Sequence, residues 1–131
     1  MDVIPMEADA NIGIIKIENN PKVKVHDFVY VMQKCFSEHG LKTMVVRNGY
    51  RARSDEYLVK YKALRSWDFV TFLSLADVSI YKGEEIKAMG HWHLISKGGL
   101  TISKFFSTEY KMEPFFDEIL KNYKKQEIRW D

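Results

Sequence analysis

The sequence predicts an α+β fold: a two-layer sandwich in which a mixed five-stranded sheet carries both of its helices on one face. Three observations predict it. A β-branched run near the start leads into an amphipathic helical segment and then a second short apolar strand, the order of a β-α-β unit. Three longer segments of alternating polarity follow, joined by short turn signals, as in an antiparallel meander. A second amphipathic helix comes last, which gives the element order β-α-β-β-β-β-α.

The chain of 131 residues, 46% hydrophobic and 29% charged, is long enough for one core and one charged surface, so residues 1–131 read as a single domain. Met1 to Asn11 reads as an irregular N-terminal arm. The first strand is the β-branched stretch Ile12 to Glu18, ended by Asn19, Asn20 and Pro21. The first helix spans about Asp27 to His39, because Phe28, Val31, Met32, Cys35 and Phe36 recur at three- and four-residue spacing and so share one face. Asp27 is placed to cap its start, and Gly40 to supply a left-handed residue at its end. Lys42 to Arg47 is the second strand, and Asn48-Gly49 a turn.

The meander strands are about Tyr57 to Leu64, Phe69 to Tyr81 and Glu85 to Leu94, with Lys82-Gly83 turning the chain before the last. Strict alternation assigns their faces. It sends Phe72, Ala76, Val78 and Ile80 inward with Ile86, Ala88, Gly90 and Trp92, and turns Leu58, Leu73, Leu75, Asp77, Met89, His91 and His93 outward. Lys97-Gly98-Gly99 opens a loop. Pro114 argues for an irregular turn over Ser107 to Met112 and a regular helix only from about Glu113, with Met112, Phe116, Ile119, Leu120 and Tyr123 on its buried stripe.

Several function classes find no support. No apolar run approaches the ~20 residues of a membrane helix. A formal net charge of +2, from 20 basic and 18 acidic residues, offers no concentrated basic field, so nucleic acid is not an expected partner. One cysteine excludes an internal disulfide and a multi-cysteine metal cluster. No nucleophile elbow, phosphate loop, dinucleotide fingerprint or paired-carboxylate motif is present, so neither enzyme activity nor a cofactor is expected.

The residues that could carry chemistry are few. His91 and His93 sit two apart on a strand and share a face, and Asp77 on the neighbouring strand could complete a metal site; two-ligand spacing alone is a weak signal. Cys35 could be a nucleophile, but it falls on an apolar helix stripe where a thiol behaves as a small hydrophobe. Trp67-Asp68 marks the corner between two meander strands, where Asp68 can bond turn amides and Trp67 can anchor a partner. Arg47, Arg51, Arg53, Lys60, Lys62 and Arg65, interleaved with Tyr50, Tyr57 and Tyr61, form the alternative nucleic-acid surface, interrupted by Asp55 and Glu56.

The run Tyr57-Leu-Val-Lys-Tyr-Lys-Ala63, the corner Ser66-Trp67-Asp68, the segments Leu73-Ser-Leu-Ala76 and Val78-Ser-Ile-Tyr81, and Gly98-Gly-Leu-Thr-Ile-Ser-Lys-Phe105 before a helix resemble a group of small uncharacterised bacterial envelope lipoproteins. The resemblance covers roughly Ile12 to Tyr123 in order of elements and is specific only at the hairpin and the Gly-Gly-Leu segment. It implies a two-layer α+β fold and no catalytic activity. The lipid-bearing cysteine of such proteins has no counterpart near the start, since Cys35 lies in a helix. Two settings follow: the periplasm or envelope if a leader has been removed, with a lipid anchor conceivable only then, or otherwise the cytoplasm, in a relative carried on a mobile element. The expected role is a binding or assembly module. Its outward sheet face, with Leu58, Leu73, Leu75 and Met89 and with Trp67 nearby, would meet a protein partner or form a homodimer.

Overall fold

The computed structural model describes residues 1–8, 11–68, 70–94 and 106–123. Its elements are β1 (Asp2–Ile4), β2 (Ile15–Glu18), α1 (Phe28–Glu38), β3 (Thr43–Val46), β4 (Tyr57–Asp68), β5 (Val70–Lys82), β6 (Glu85–His93) and α2 (Thr108–Ile119). The class is α+β, with a mixed sheet and two helices. The sheet has six strands in the order β1-β6-β5-β4-β2-β3. β2 runs parallel to both β3 and β4, while β4, β5 and β6 form the antiparallel meander.

The sixth strand corrects the sequence reading. Asp2–Ile4 is not an irregular arm but pairs antiparallel with the edge of β6. Three residues are too few to show a period, so the signal is the free edge they cover rather than their own pattern. The segment is anchored further on, where the Met6 amide donates to the Ile119 carbonyl at 2.8 Å and the Met6 side chain is buried.

α1 forms as its spacing requires, and all five apolar residues of the stripe are buried. Gly40 ends it at φ 78°, with the Leu41 amide bonded to the Phe36 carbonyl and the Gly40 amide to that of Ser37, a Schellman closure. Asp27 holds the N-cap position but makes no side-chain cap bond; its carboxylate accepts from the Thr108 hydroxyl at 2.9 Å and so ties α1 to α2. α2 starts at Thr108, not Glu113. Ser107 caps it by accepting from the Tyr110 amide at 3.1 Å, and the helix continues through Pro114. Burial of Met112, Phe115, Phe116 and Ile119 outweighs the donor that proline removes.

One core cluster unites both helices with the sheet. Phe28 of α1 stacks on Tyr61 of β4 with ring centroids 5.5 Å apart, and Phe36 meets Phe116 edge to face at 5.4 Å. Tyr61, Val78 and Gly90 are cross-strand partners in one row, so they share a face, and α2 packs on the same row at Gly90.

Two register shifts revise the predicted faces. Leu64 opposes Leu75 but Arg65 opposes Leu73, leaving Ser74 as an extra residue in β5. A one-residue slip turns every side chain beyond it to the other face. Leu73 therefore enters the core at 2% exposure instead of pointing outward, and Phe72 is only half-buried. A second shift follows Ile80, which opposes Ala88, because Tyr81 then opposes Ile86. Ile86 is consequently exposed rather than grouped inward with Ala88. The Gly98-Gly99 loop and the segment through Phe105 lie outside the described residues, as does the Asp68 side chain.

Among the described residues no helix is long and apolar enough to cross a membrane.

A Cβ at Gly90 would lie 2.6 Å from Cε1 and 2.8 Å from Cζ of the fully buried Phe115. Gly90→Ala is therefore expected to destabilise the fold by about 1–3 kcal/mol despite restricting the unfolded chain, measurable by urea denaturation. An unchanged or higher midpoint would refute the close approach.

Candidate functional site

The face of the sheet turned away from Phe28 and Phe115 can be read row by row from the register, because directly opposed residues point the same way. The middle row is Lys62, Asp77, His91 and Asp2, across β4, β5, β6 and β1. On one side of it runs Lys60, Ser79, Met89 and Ile4, and on the other Leu64, Leu75 and His93. Ile4 is 61% exposed, Leu64 57% and Met89 40%. A shallow depression of about 580 Å³ lies here, lined by Lys60, Lys62, Asp77, Tyr81, Met89 and His91 among others. The Lys60 ammonium stands 5.4 Å from the Tyr81 ring centroid, a cation–π contact that orients both.

The five interface candidates separate. Met89 is at the surface of this face and Leu75 is half-buried on it. Leu58 points to this face between Lys16 and Tyr81 but is only 4% exposed, so it offers no contact surface, and Leu73 belongs to the core. Trp67 is 72% exposed, but it opposes Thr71 at the hairpin end beyond the Ser74 bulge and lies, by alternation, on the same side as Tyr61. Sequence reasoning missed Ile4, whose strand shows no period of its own. It also passed over Leu64, although the alternation of its strand already pointed that residue outward.

The metal candidates meet only in part. Asp77 and His91 are register partners, and a carboxylate oxygen of Asp77 contacts His91 Nδ1 in a close pair. The His91 and His93 rings lie 5.5 Å apart, centroid to centroid. The donor atoms of the three residues do not all fall within 4.8 Å of one another, a separation met among the described residues only by Glu38, Glu109 and Glu113.

That acidic group lies on the seam between the helices, where Lys34 pairs with Glu109 and His39 Nε2 sits 2.8 Å from Asp117. With the Asp27–Thr108 bond, these links join start to start and end to end, so α1 and α2 run in the same direction. The Lys34 hydrogen bond holds the Glu109 carboxyl below its usual range. Glu113 is raised above its range by desolvation and by the charges of Glu38 and Glu109. Cys35 is buried beneath the same seam, and burial, reinforced by Glu38 and Glu113, pushes its thiol up to about 12. It is a packing group rather than a thiolate nucleophile at neutral pH. Lys111 is buried at 7% exposure; its ammonium donates to the Leu73 carbonyl at 3.1 Å and stands over the Phe72 ring, and burial lowers its pKa. Its place four residues before Phe115 on the helix could have revealed this.

The basic, tyrosine-interleaved region does not present a stacking platform. Tyr57 and Tyr61 are buried, and the Tyr61 hydroxyl accepts from the Asn20 amide at 3.1 Å. The Tyr50 hydroxyl donates to the Glu56 carboxylate at 2.8 Å, and Arg53 Nε lies 3.5 Å from that same carboxylate. No protein-family model, curated protein or solved structure matches this chain.

Two outcomes are expected. Cys35 should resist a thiol reagent at pH 8 in the folded protein and react quickly once denatured; rapid native labelling would contradict its burial. Glu113 is raised on folding, so its ionised form costs stability at pH values above its folded pKa and the cost disappears as pH falls through that pKa. Glu113→Gln should therefore raise Tm at pH 7.5, with the gain shrinking toward pH 4, as read by thermal melts at both pH values.

Proposed function

We propose that this chain is a non-enzymatic binding and assembly module, of bacterial origin, which docks a protein on the sheet face carrying Met89. In this reading the molecule is a two-layer sandwich. Both helices lie on the face marked by the Phe28–Tyr61 and Phe115–Gly90 contacts, and the other face is left for a partner. The observation that carries the reading is the concentration on that face of exposed Ile4, Met89 and Leu64 around a row of charged side chains. Apolar surface rimmed by charge is the usual make-up of a docking patch. Cys35 and the Asp77–His91 pair then have packing and orienting tasks rather than catalytic ones. The resemblance to small envelope lipoproteins would put such a module in the envelope if a leader has been removed, and otherwise in the cytoplasm.

Site-specific photo-cross-linking in the native cells tests this. A photoreactive phenylalanine analogue at Met89 or Leu64 is expected to give discrete adducts. The same analogue at Tyr30, 68% exposed on α1, should give none. No adduct from the two sheet positions, or equal adducts from Tyr30, would overturn the reading.

A further inference from the structure

The middle row of the docking face alternates in sign: Lys62 positive, Asp77 negative, His91 a hydrogen-bonding imidazole that is positive when protonated, and Asp2 negative. Three strand spacings separate its ends, roughly 14 Å. A row of this kind is complementary to its own reversal. Turned end for end, Lys62 meets Asp2 and Asp77 meets His91, each pair occurring twice.

We propose that the partner on this face is a second copy of the chain, related by a two-fold axis that runs along the strands between Asp77 and His91. This rests on reading the face as a docking surface and adds its occupant and register. Two-fold interfaces are isologous, so each residue on one side must tolerate the residue it is paired with on the other. The competing axis, along the row, would set Lys62 on Lys62 and Asp77 on Asp77, and like charges brought together are strongly unfavourable. The chosen axis also serves the flanking row Lys60, Ser79, Met89, Ile4. It brings the apolar Ile4 over the hydrocarbon stem of Lys60 in the other copy, and Met89 over Ser79. Charge selects the axis, and the exposed apolar groups supply buried area.

Sedimentation across a concentration range tests occupant and register separately. The wild type is expected to dimerise from its 15.4 kDa monomer. Asp2→Lys and Lys62→Asp should each weaken the dimer by about tenfold or more, because each creates two like-charge contacts. The double variant restores opposite charge at both ends and should recover most of the affinity. Thermal melts establish that each variant is folded. As a second readout, Asp2→Cys mixed with Lys62→Cys should be joined by a short bismaleimide, whereas Asp2→Cys alone should not. A wild type that remains monomeric at millimolar concentration overturns the second copy as partner, while cross-links from Met89 to a different protein would leave the docking reading intact. A dimer whose charge swap fails to restore affinity, or that Asp2→Cys joins to itself, overturns the register.

Discussion

Four separate parts of the molecule meet on α2, and they do so because β6 has no side chain at position 90. Phe115 sits where a Cβ would be. With the helix that close, the Ile119 carbonyl reaches the Met6 amide and fixes the chain after β1. Lys111 reaches the Leu73 carbonyl past the bulge of β5, and Thr108, Glu109 and Asp117 reach Asp27, Lys34 and His39 along α1. A side chain at that position would lift the helix and loosen all of these together, because close-packed interiors move as a body. The helix tolerates Pro114 for the same reason: its stability comes from what it packs against more than from its own backbone ladder.

The face opposite α2 is defined as much by the two bulges as by the sequence pattern. Without the bulge at Ser74, Leu73 would turn to the side of Met89. With it, the apolar content of that face falls to a few exposed groups set around a polar row. Such a surface can remain in water and still gain from being covered. The bulge therefore keeps Leu73 in the core and keeps the exposed patch small.

What was legible in the sequence was whatever depended on local period. The α1 stripe, its glycine end, the β2-α1-β3 unit and the meander all follow from spacing, and all formed. What was not legible depended on something distant. β1 exists because β6 has an edge to cover. The face of Leu73 depends on one residue inserted relative to a partner strand, which strict alternation cannot register. The continuity of α2 through Pro114 depends on tertiary burial overriding propensity. The candidate site inherits these limits: counting along strands turned Met89, Asp77 and His91 outward, whereas the Asp77–His91 contact came only with the register, and Ile4 and Asp2 only with β1.

The pairing of Asp2 with His91 joins residues 91 − 2 = 89 positions apart in a chain of 131. The β4–β5 hairpin, by contrast, pairs Asp68 with Val70, only two positions further along the chain. Closing a long loop costs more conformational entropy than closing a short one, and distant contacts form after local ones. In such an order the meander assembles early, and the N-terminal strand docks late, onto a β6 edge already fixed by its neighbours. β1, which precedes every other strand of the sheet in the chain, would thus be among the last to find its place, and the β6 edge would stay uncovered until it docked.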